Sequence, residues 1–197
     1  ALPSKLICPE NVNHYMYETD IEKTPEYDFD ENNTIILFPG ENSKPVNEID
    51  WGKYKNIVIA DCTWLQSRPM MRDSVQLKKL PQVRLEGRKT AFWRYNKIGD
   101  EFLSSIEAMY FLLLERFKCV HKNTKESYDG RYDDLLWFFS WQHKRITNEY
   151  HSKGLKFSRK ENWLQKGAHG KDLDENINEN EKEDLDGVVK KKQKIIT

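Results

Sequence analysis

Two short, uninterrupted apolar segments most constrain how this chain can fold. Residues 34–38 read TIILF and residues 56–60 read NIVIA. Neither segment alternates apolar with polar side chains, which is typical of strands that are buried on both faces of a parallel sheet. Pro39 and Gly40 end the first segment in a turn. We therefore predict strands over residues 34–38 and 57–60, in a sheet that helices cover on both faces.

Further helices and strands are predicted along the chain. Residues 104–117 favour a helix that begins with a capping box of Ser104 and Glu107 and is apolar nearly all round, hence deeply buried. Residues 132–148 predict a second helix. We expect this helix to pack on two sides because Trp137, Phe138 and Trp141 widen its apolar stripe. Residues 80–85 and 90–95 favour strands. Residues 65–72 predict a helix that Pro69 breaks or that begins only near Arg72. Strands alternating with helices predict an α/β domain.

Composition divides the chain into three parts. Residues 1–33 are polar and contain three prolines, so we expect an N-terminal extension of loop and short extended pieces that packs on the domain. Residues 34–165 form the predicted domain. Residues 166–197 have low hydrophobicity, an acidic stretch and then a run of lysines, which predicts a disordered charged tail.

Several classes of protein are disfavoured by composition. The 197 residues contain no run of 18 apolar side chains, so we predict no membrane span. Three cysteines, widely spaced, do not predict a disulfide framework, and a reducing compartment suits them better. Because there is no C-x-x-C and the five histidines do not cluster with cysteines, we predict no metal site.

Two candidate functional segments follow the predicted strands. Phe38-Pro39-Gly40 and Asp61-Cys62-Thr63-Trp64 lie at carboxyl ends of strands, where ligands bind in open α/β sheets. Taken singly, Asp61 could cap a turn and Trp64 could belong to the core. A basic segment, residues 78–94, has six basic side chains and one acid, and aromatic residues near its end suit stacking on RNA bases.

In combination, these segments resemble the DTW-domain family. The signature Asp-x-Thr-Trp is present at residues 61–64, and family patterns are matched by LFPG at 37–40, LPQVRL at 80–85 and SSIEA at 104–108. Ser105 stands where the family usually has threonine. TAFWR at 90–94 and YDGRYD at 128–133 are similar to the first of the two eukaryotic paralogues. The motifs occur in the family's order over about residues 34–148.

The resemblance implies a fold, an activity and a partner. Family members are tRNA-uridine aminocarboxypropyltransferases, which move the 3-amino-3-carboxypropyl group of S-adenosylmethionine to N3 of a uridine and release methylthioadenosine. Their fold is SPOUT-like, an α/β fold with a parallel sheet and a C-terminal trefoil knot. The expected group donor is therefore S-adenosylmethionine, and the expected partner is tRNA.

The resemblance also implies site residues. Asp61 is the expected catalytic residue. The expected donor-binding residues line several loops: Phe38, Pro39, Gly40, Ala60, Thr63, Trp64, Leu80, Leu85, Trp93 and Ser105. Arg68, Arg72, Lys89 and Arg94 are expected to bind RNA.

The chemistry suggests roles for two signature residues. An indole such as Trp64 could cover the methyl of the sulfonium, so that the longer amino-acid arm faces the RNA. A carboxylate such as Asp61 could accept or orient the uridine N3–H, or it could hold the α-ammonium of the donor. Both roles of Asp61 remain open.

Two other functions are compatible with these residues. One is a SAM-dependent RNA methyltransferase of SPOUT type, and the other is a non-catalytic RNA-binding module. We expect a monomer that has no membrane association. The lysine-rich end favours the nucleus, otherwise the cytoplasm.

Overall fold

The structure, a computed structural model, describes residues 2–17, 29–93, 99, 101–124 and 126–153. These contain α1 (Leu2–Ile7), β1 (Thr34–Leu37), β2 (Lys44–Pro45), a 3₁₀ helix (Val46–Glu48), β3 (Asn56–Ile59), α2 (Trp64–Asp73), α3 (Val75–Lys78), β4 (Gln82–Arg84), α4 (Ser105–Val120), a second 3₁₀ helix (Asp133–Leu136) and α5 (Trp137–Ser152). They belong to two compact units: Ala1–Glu86 with Phe111–Tyr128, and Gly87–Tyr110 with Asp129–Thr197. The predicted tail at 166–197 lies outside the described residues.

The first unit is built on a four-stranded sheet with the order β2-β4-β1-β3. Every strand pair in it is parallel. The α/β class with a parallel sheet is therefore confirmed, and the predicted strands at 34–38, 57–60 and 80–85 correspond to β1, β3 and β4. Residues 1–33 were expected to lack helix, but α1 begins at Leu2, where Pro3 in the first turn lacks only an N–H that the helix does not use.

Both faces of the sheet are covered, as the unbroken apolar segments predicted. On one face, Ile35 and Val83 pack in a cluster with Val46, Trp51 and Leu112 of α4. On the other face, the cluster around Ile36 contains Met71 of α2, Leu77 of α3 and Leu80, which precedes β4. Ile35, Ile36 and Val83 are fully buried. Each such side chain contributes about 1.5–3 kcal/mol to folding.

Helix α2 differs from its prediction. It runs unbroken over Trp64–Asp73 with Pro69 inside. The helix is fixed at its start, because the side-chain carbonyl of Gln66 accepts hydrogen bonds from the N–H and the hydroxyl of Thr63, at 3.1 and 2.8 Å. A proline costs one backbone hydrogen bond and some strain. Here the capped start and the burial of Met71 outweigh that cost.

In the second unit, α4 begins with the predicted capping interaction but does more than cap. Glu107 is 3% exposed. Its carboxylate accepts hydrogen bonds from the N–H and hydroxyl of Ser104 at 2.8 and 2.6 Å. It also accepts from the Thr90 hydroxyl and the Ala91 N–H, both at 2.7 Å. The predicted strand at 90–95 is therefore wrong for residues 90–93, whose backbone is irregular and tied to a side chain; residues 94 and 95 lie outside the described residues.

Helix α5 also differs from its prediction. The segment starts as a 3₁₀ turn at Asp133–Leu136 and continues as an α-helix to Ser152. Leu135 and Leu136 are buried, whereas Trp137, Phe138 and Trp141 are exposed. The expectation that these aromatics make the helix pack on two sides is wrong. By contrast α4 is deeply buried as predicted, through Tyr110, Phe111, Leu112 and Leu114. Among the helices that the structure describes, none combines the length and the apolar character needed to cross a membrane.

The substitution Glu107→Gln tests the role of this buried carboxylate. The new amide would present N–H groups to Ser104 and Thr90, so the free energy of unfolding should fall by about 1–3 kcal/mol. Burial, opposed by hydrogen bonds from Ser104, Thr90 and Ala91, raises the pKa of Glu107 from its usual 4.5. A carboxyl group whose pKa is raised on folding stabilises the folded state fully at pH values below its pKa in the unfolded chain. This contribution to stability is lost as the pH rises through its pKa in the folded protein.

The stability gap between wild type and Glu107→Gln should therefore narrow as the pH rises from about 4 to 7. Urea denaturation across this pH range measures it. Glu48→Gln, at an exposed carboxylate in the first 3₁₀ helix, is the matched control and should change little. A gap that widens with rising pH would contradict a raised pKa of Glu107.

Candidate functional site

The carboxyl edge of the sheet brings three loops together. The register places Leu37 at the end of β1 beside Ile59 of β3 and Val83 of β4. The next N–H along β1, that of Phe38, still donates to the Val83 carbonyl at 3.0 Å. The segments that follow β1, β3 and β4 therefore start side by side, which is where α/β sheets bind ligands.

The loop after β1 is held in one conformation. The Gly40 carbonyl accepts hydrogen bonds from the N–H and the hydroxyl of Ser43, at 3.0 and 2.6 Å. The Arg84 guanidinium donates to the Ser43 carbonyl and pairs with Glu86 at 2.7 Å. Among the predicted residues of this loop, Phe38 is half-buried against the cluster around Ile36. The loop thus forms a stable wall at the edge of the sheet.

Gly40 lies directly against the side chain of Gln82. A Cβ at position 40 would come within 2.0 Å of the Gln82 Oε1, so only glycine fits without moving that amide. The same Oε1 is buried and has no hydrogen-bond partner in the described part of the chain. A buried acceptor without a partner costs about 1–3 kcal/mol. A ligand donor group at this place would satisfy it.

The signature segment forms the loop after β3 and the start of α2. Ala60 follows the strand, Asp61 is exposed, and Thr63 is the residue that caps the helix. Trp64 is the first residue of α2 and is half-buried. Thr63 and Gln66 fix the start of the helix, so the backbone that carries Trp64 begins at a defined place on the edge of the sheet.

The Cys62 thiol in this loop has low reactivity. Burial, and secondly the negative charge of Asp61, raise the pKa of the Cys62 thiol above its usual 9.0. The thiol therefore stays protonated at neutral pH and is a poor nucleophile or metal ligand. Within the residues that the structure covers, no group of three or more histidine, cysteine or acidic side chains could hold a metal ion.

The predicted RNA-binding residues differ in their surroundings. Arg68 and Lys89 are exposed. Arg72 is also exposed, but it forms a two-pronged ion pair with Asp73 at 2.6 and 2.9 Å. This pairing lowers the pKa of Asp73 below its usual value. Arg72 thus carries a charge that its neighbour largely offsets. Arg94 lies outside the described residues.

The structure separates two of the predicted donor-binding residues that flank β4. Leu85 follows β4 at the carboxyl edge and packs against the cluster around Ile35. Leu80 precedes β4, at the other end of the strand, and is buried in the core with Ile36 and Leu77.

Two further predicted residues belong to the second unit. Trp93 packs on Phe139 and His143, with ring centroids at 5.5 and 6.3 Å. Burial lowers the pKa of His143, so this ring is neutral at pH 7. Ser105 is the first residue of α4.

Two residues were not predicted as part of a site. Gln82 was recognised only as part of the LPQVRL match, and Glu107 was interpreted as a helix cap alone. A polar residue in a short buried strand is itself a signal, because a partner is needed for its amide. No sequence signal could indicate that the side-chain oxygen of Gln82 lacks a hydrogen-bond partner.

The chain also resembles known proteins. A sequence profile described as the DTW domain matches residues 6–147. The tRNA-uridine aminocarboxypropyltransferase 1 of Rattus norvegicus is 30% identical to this chain, in an alignment that covers 81% of this chain and 64% of that protein. The human protein of the same name is 31% identical, covering 75% and 60%. The Xenopus laevis protein is 33% identical, covering 68% and 46%.

The chain spans less than two thirds of the length of each of these relatives. No solved structure matches it. The profile covers most of the chain, and it includes the signature residues Asp61, Thr63 and Trp64 at the carboxyl edge of the sheet. The chain therefore belongs to the DTW-domain family.

Proposed function

We propose that the protein is a tRNA-uridine aminocarboxypropyltransferase that uses S-adenosylmethionine to modify N3 of a uridine. The observation that carries this proposal is the DTW match together with the position of Asp61 and Trp64 at the carboxyl edge of a parallel sheet. Relatives that bear the name of this enzyme support it. The donor would supply the 3-amino-3-carboxypropyl group from its sulfonium and leave as methylthioadenosine.

The residues at the sheet edge fit such a donor. Gly40 keeps the backbone close to Gln82, and the buried Oε1 of Gln82 can accept an N–H from an ammonium or amino group. Phe38 and Leu85 offer apolar surface beside it. We further propose that the domain covers residues 34–165, that its fold is SPOUT-like with a C-terminal trefoil knot, and that it acts in the nucleus.

Asp61 can take either of two roles in this reaction. Its carboxylate is exposed at the start of the signature loop, so the base of an incoming RNA can reach it. It can accept the proton of uridine N3 or orient the ring. It can instead hold the α-ammonium of the donor. The two roles separate kinetically, because the first affects kcat and the second affects KM for the donor.

Trp64 selects which carbon is attacked. A sulfonium carries three carbons open to displacement, and transfer of the longer arm requires that the methyl be covered. The half-buried indole, fixed at the first residue of α2, supplies a flat face for this purpose and interacts favourably with a cation. Positioning of the reacting atoms then contributes much of the rate.

Asp61→Ala should strongly reduce transfer while the fold remains intact. Loss of a general base or a positioning group lowers the rate by about 10²–10⁴-fold. Mass spectrometry of nucleosides, after incubation with S-adenosylmethionine and unmodified tRNA, measures the product. Glu41→Gln is the matched control, since Glu41 is an exposed carboxylate in the loop after β1. Wild-type product from Asp61→Ala would refute the assigned role, and a methylated nucleoside from wild type would indicate a methyltransferase.

Trp64→Ala should change the product as well as the rate. With the indole removed, the methyl is open to attack, so the ratio of methyluridine to aminocarboxypropyluridine should rise from near zero. Trp64→Phe keeps an aromatic face and should retain most of the selectivity. Leu65→Ala alters the neighbouring side chain, which is 81% exposed, and should have no effect. If Trp64→Ala lowers the rate with no methylated product at all, Trp64 does not select the carbon.

Gln82→Leu should separate stability from donor binding. Removal of a buried acceptor without a partner should raise the free energy of unfolding by about 1 kcal/mol or leave it unchanged. The affinity for S-adenosylmethionine, measured by calorimetry, should fall by about tenfold. Gly40→Ala, which would displace the Gln82 amide, should weaken binding likewise. Gly52→Ala is the control, because its Cβ would meet only the end of the Asp50 side chain, at 3.3 Å. Unchanged affinity in Gln82→Leu would exclude this contact.

A further inference from the structure

Helix α5 has one face packed and one face open. Phe139 and His143 lie on the packed face, where Phe92 and Trp93 pack against them at 5.5–6.3 Å between ring centroids. Both Phe92 and Trp93 are only partly accessible in this cluster. Phe92 and Trp93, two aromatics near the end of the basic segment, thus pack against other rings of the protein.

Among the residues of this unit that the structure describes, the exposed large aromatics lie on the open face. Trp137, Phe138 and Trp141 are 37%, 42% and 44% exposed. Trp137 and Trp141 are four residues apart, so they lie one turn above each other on the same side of the helix. The Phe138 ring meets Trp137 edge to face, at 4.7 Å between centroids. Two indoles exposed along one helix are unusual on a surface, where large apolar groups mark interaction sites.

Cations lie on the same face. The Arg145 guanidinium sits 5.5 Å from the centroid of the Trp141 ring, one turn further along. Lys144 is exposed next to it. Exposed Asp134 lies three residues before Trp137, and Glu149 in the last turn is paired with Lys153 at 2.6 Å. One turn beyond Trp141, the exposed side chains on this face are the cations Lys144 and Arg145.

We infer that the α5 face, defined as Trp137, Phe138, Trp141, Lys144 and Arg145, binds an unpaired segment of RNA. Flat rings suit stacking of bases that are not in a duplex, and a guanidinium beside an indole extends the stacking surface. Lys144 and Arg145 neutralise phosphates. An apolar protein partner would not need these cations. The inference rests on the proposed function for the identity of the RNA, a tRNA, and it adds a contact surface outside the loops of the sheet edge.

Fluorescence anisotropy tests the inference with a labelled single-stranded oligoribonucleotide and with the same strand in a duplex. The wild type should bind the single strand more tightly. The double variant Trp137→Ala/Trp141→Ala should weaken that binding about tenfold or more, because each stacked base contributes strongly. It should affect the duplex less. Circular dichroism should match the wild type. Because both indoles are more than half covered, the double variant should lose some stability, and urea denaturation should show that it is still folded under the assay conditions.

Conservative variants separate stacking from general apolar contact. Trp141→Phe keeps an aromatic face and should retain most of the affinity, whereas Trp141→Leu keeps apolar area alone and should lose it. Arg145→Ala should reduce the slope of log affinity against log salt by about 0.7. The matched controls are Val75→Ala, an exposed apolar side chain, and Lys53→Ala, an exposed cation 5.3 Å from the Tyr54 ring. Neither control should change the affinity.

The outcomes are separate from those of the transfer reaction, because the assay contains no donor and measures binding alone. Binding that depends on the indoles supports the inference even if no aminocarboxypropyl product is ever found. Unchanged affinity in the double variant overturns it while leaving the proposed reaction intact. Two results would assign the face to a protein partner instead. One is equal RNA affinity of the Trp141→Leu and Trp141→Phe variants. The other is self-association, measured by ultracentrifugation, that only the double variant loses.

Discussion

Burial of β1 on both faces is the constraint on which the first unit depends. Ile35 and Ile36 are adjacent in sequence, so their side chains point to opposite faces, and each is the centre of an apolar cluster. A strand of four residues can hold this position only with a neighbour on each side, and β3 and β4 supply them in parallel. Parallel pairing aligns the carboxyl ends, and this alignment brings the DTW signature beside the loop that contains Gly40.

The segment between the sheet and the signature helix shows how local chemistry fixes a site. Thr63 and Gln66 form the cap of α2, so the first turn of the helix starts at a defined residue. Trp64 is the first residue of that turn, and it keeps part of its surface open. An aromatic residue in the core could not contact a ligand. One in a free loop would lose entropy on binding, and the cap avoids this cost.

The main features of the sheet could be predicted because they depend on short-range pattern. Unbroken apolar segments at 34–38 and 57–60 predicted parallel strands, and the order of the motifs identified the family. Of the two strands, β1 is buried on both faces, whereas β3, at the edge of the sheet, is only partly buried. Residues 90–93 were mispredicted because their β-branched and aromatic side chains favour a strand, whereas the Glu107 carboxylate, far along the chain, takes the Ala91 N–H. Trp137 and Trp141 were mispredicted because hydrophobicity indicates burial only when nothing else selects for exposure. The donor-binding and RNA-binding assignments remain predictions, since side-chain proximity to a ligand is not a property of sequence pattern.

Two buried polar groups indicate how structural and functional residues differ in this chain. Glu107 is surrounded by four donors that satisfy both of its oxygens, so its burial is compensated within the protein and nothing further is needed from a ligand. Gln82 is a neutral amide and is only partly buried, but its Oε1 is buried and has no partner among the described residues. A buried acceptor left without a donor lowers stability, and Leu at this position would avoid that penalty. An amide in this strand, next to a glycine that makes room for it, fits the proposed contact of Gln82 with a donor ligand.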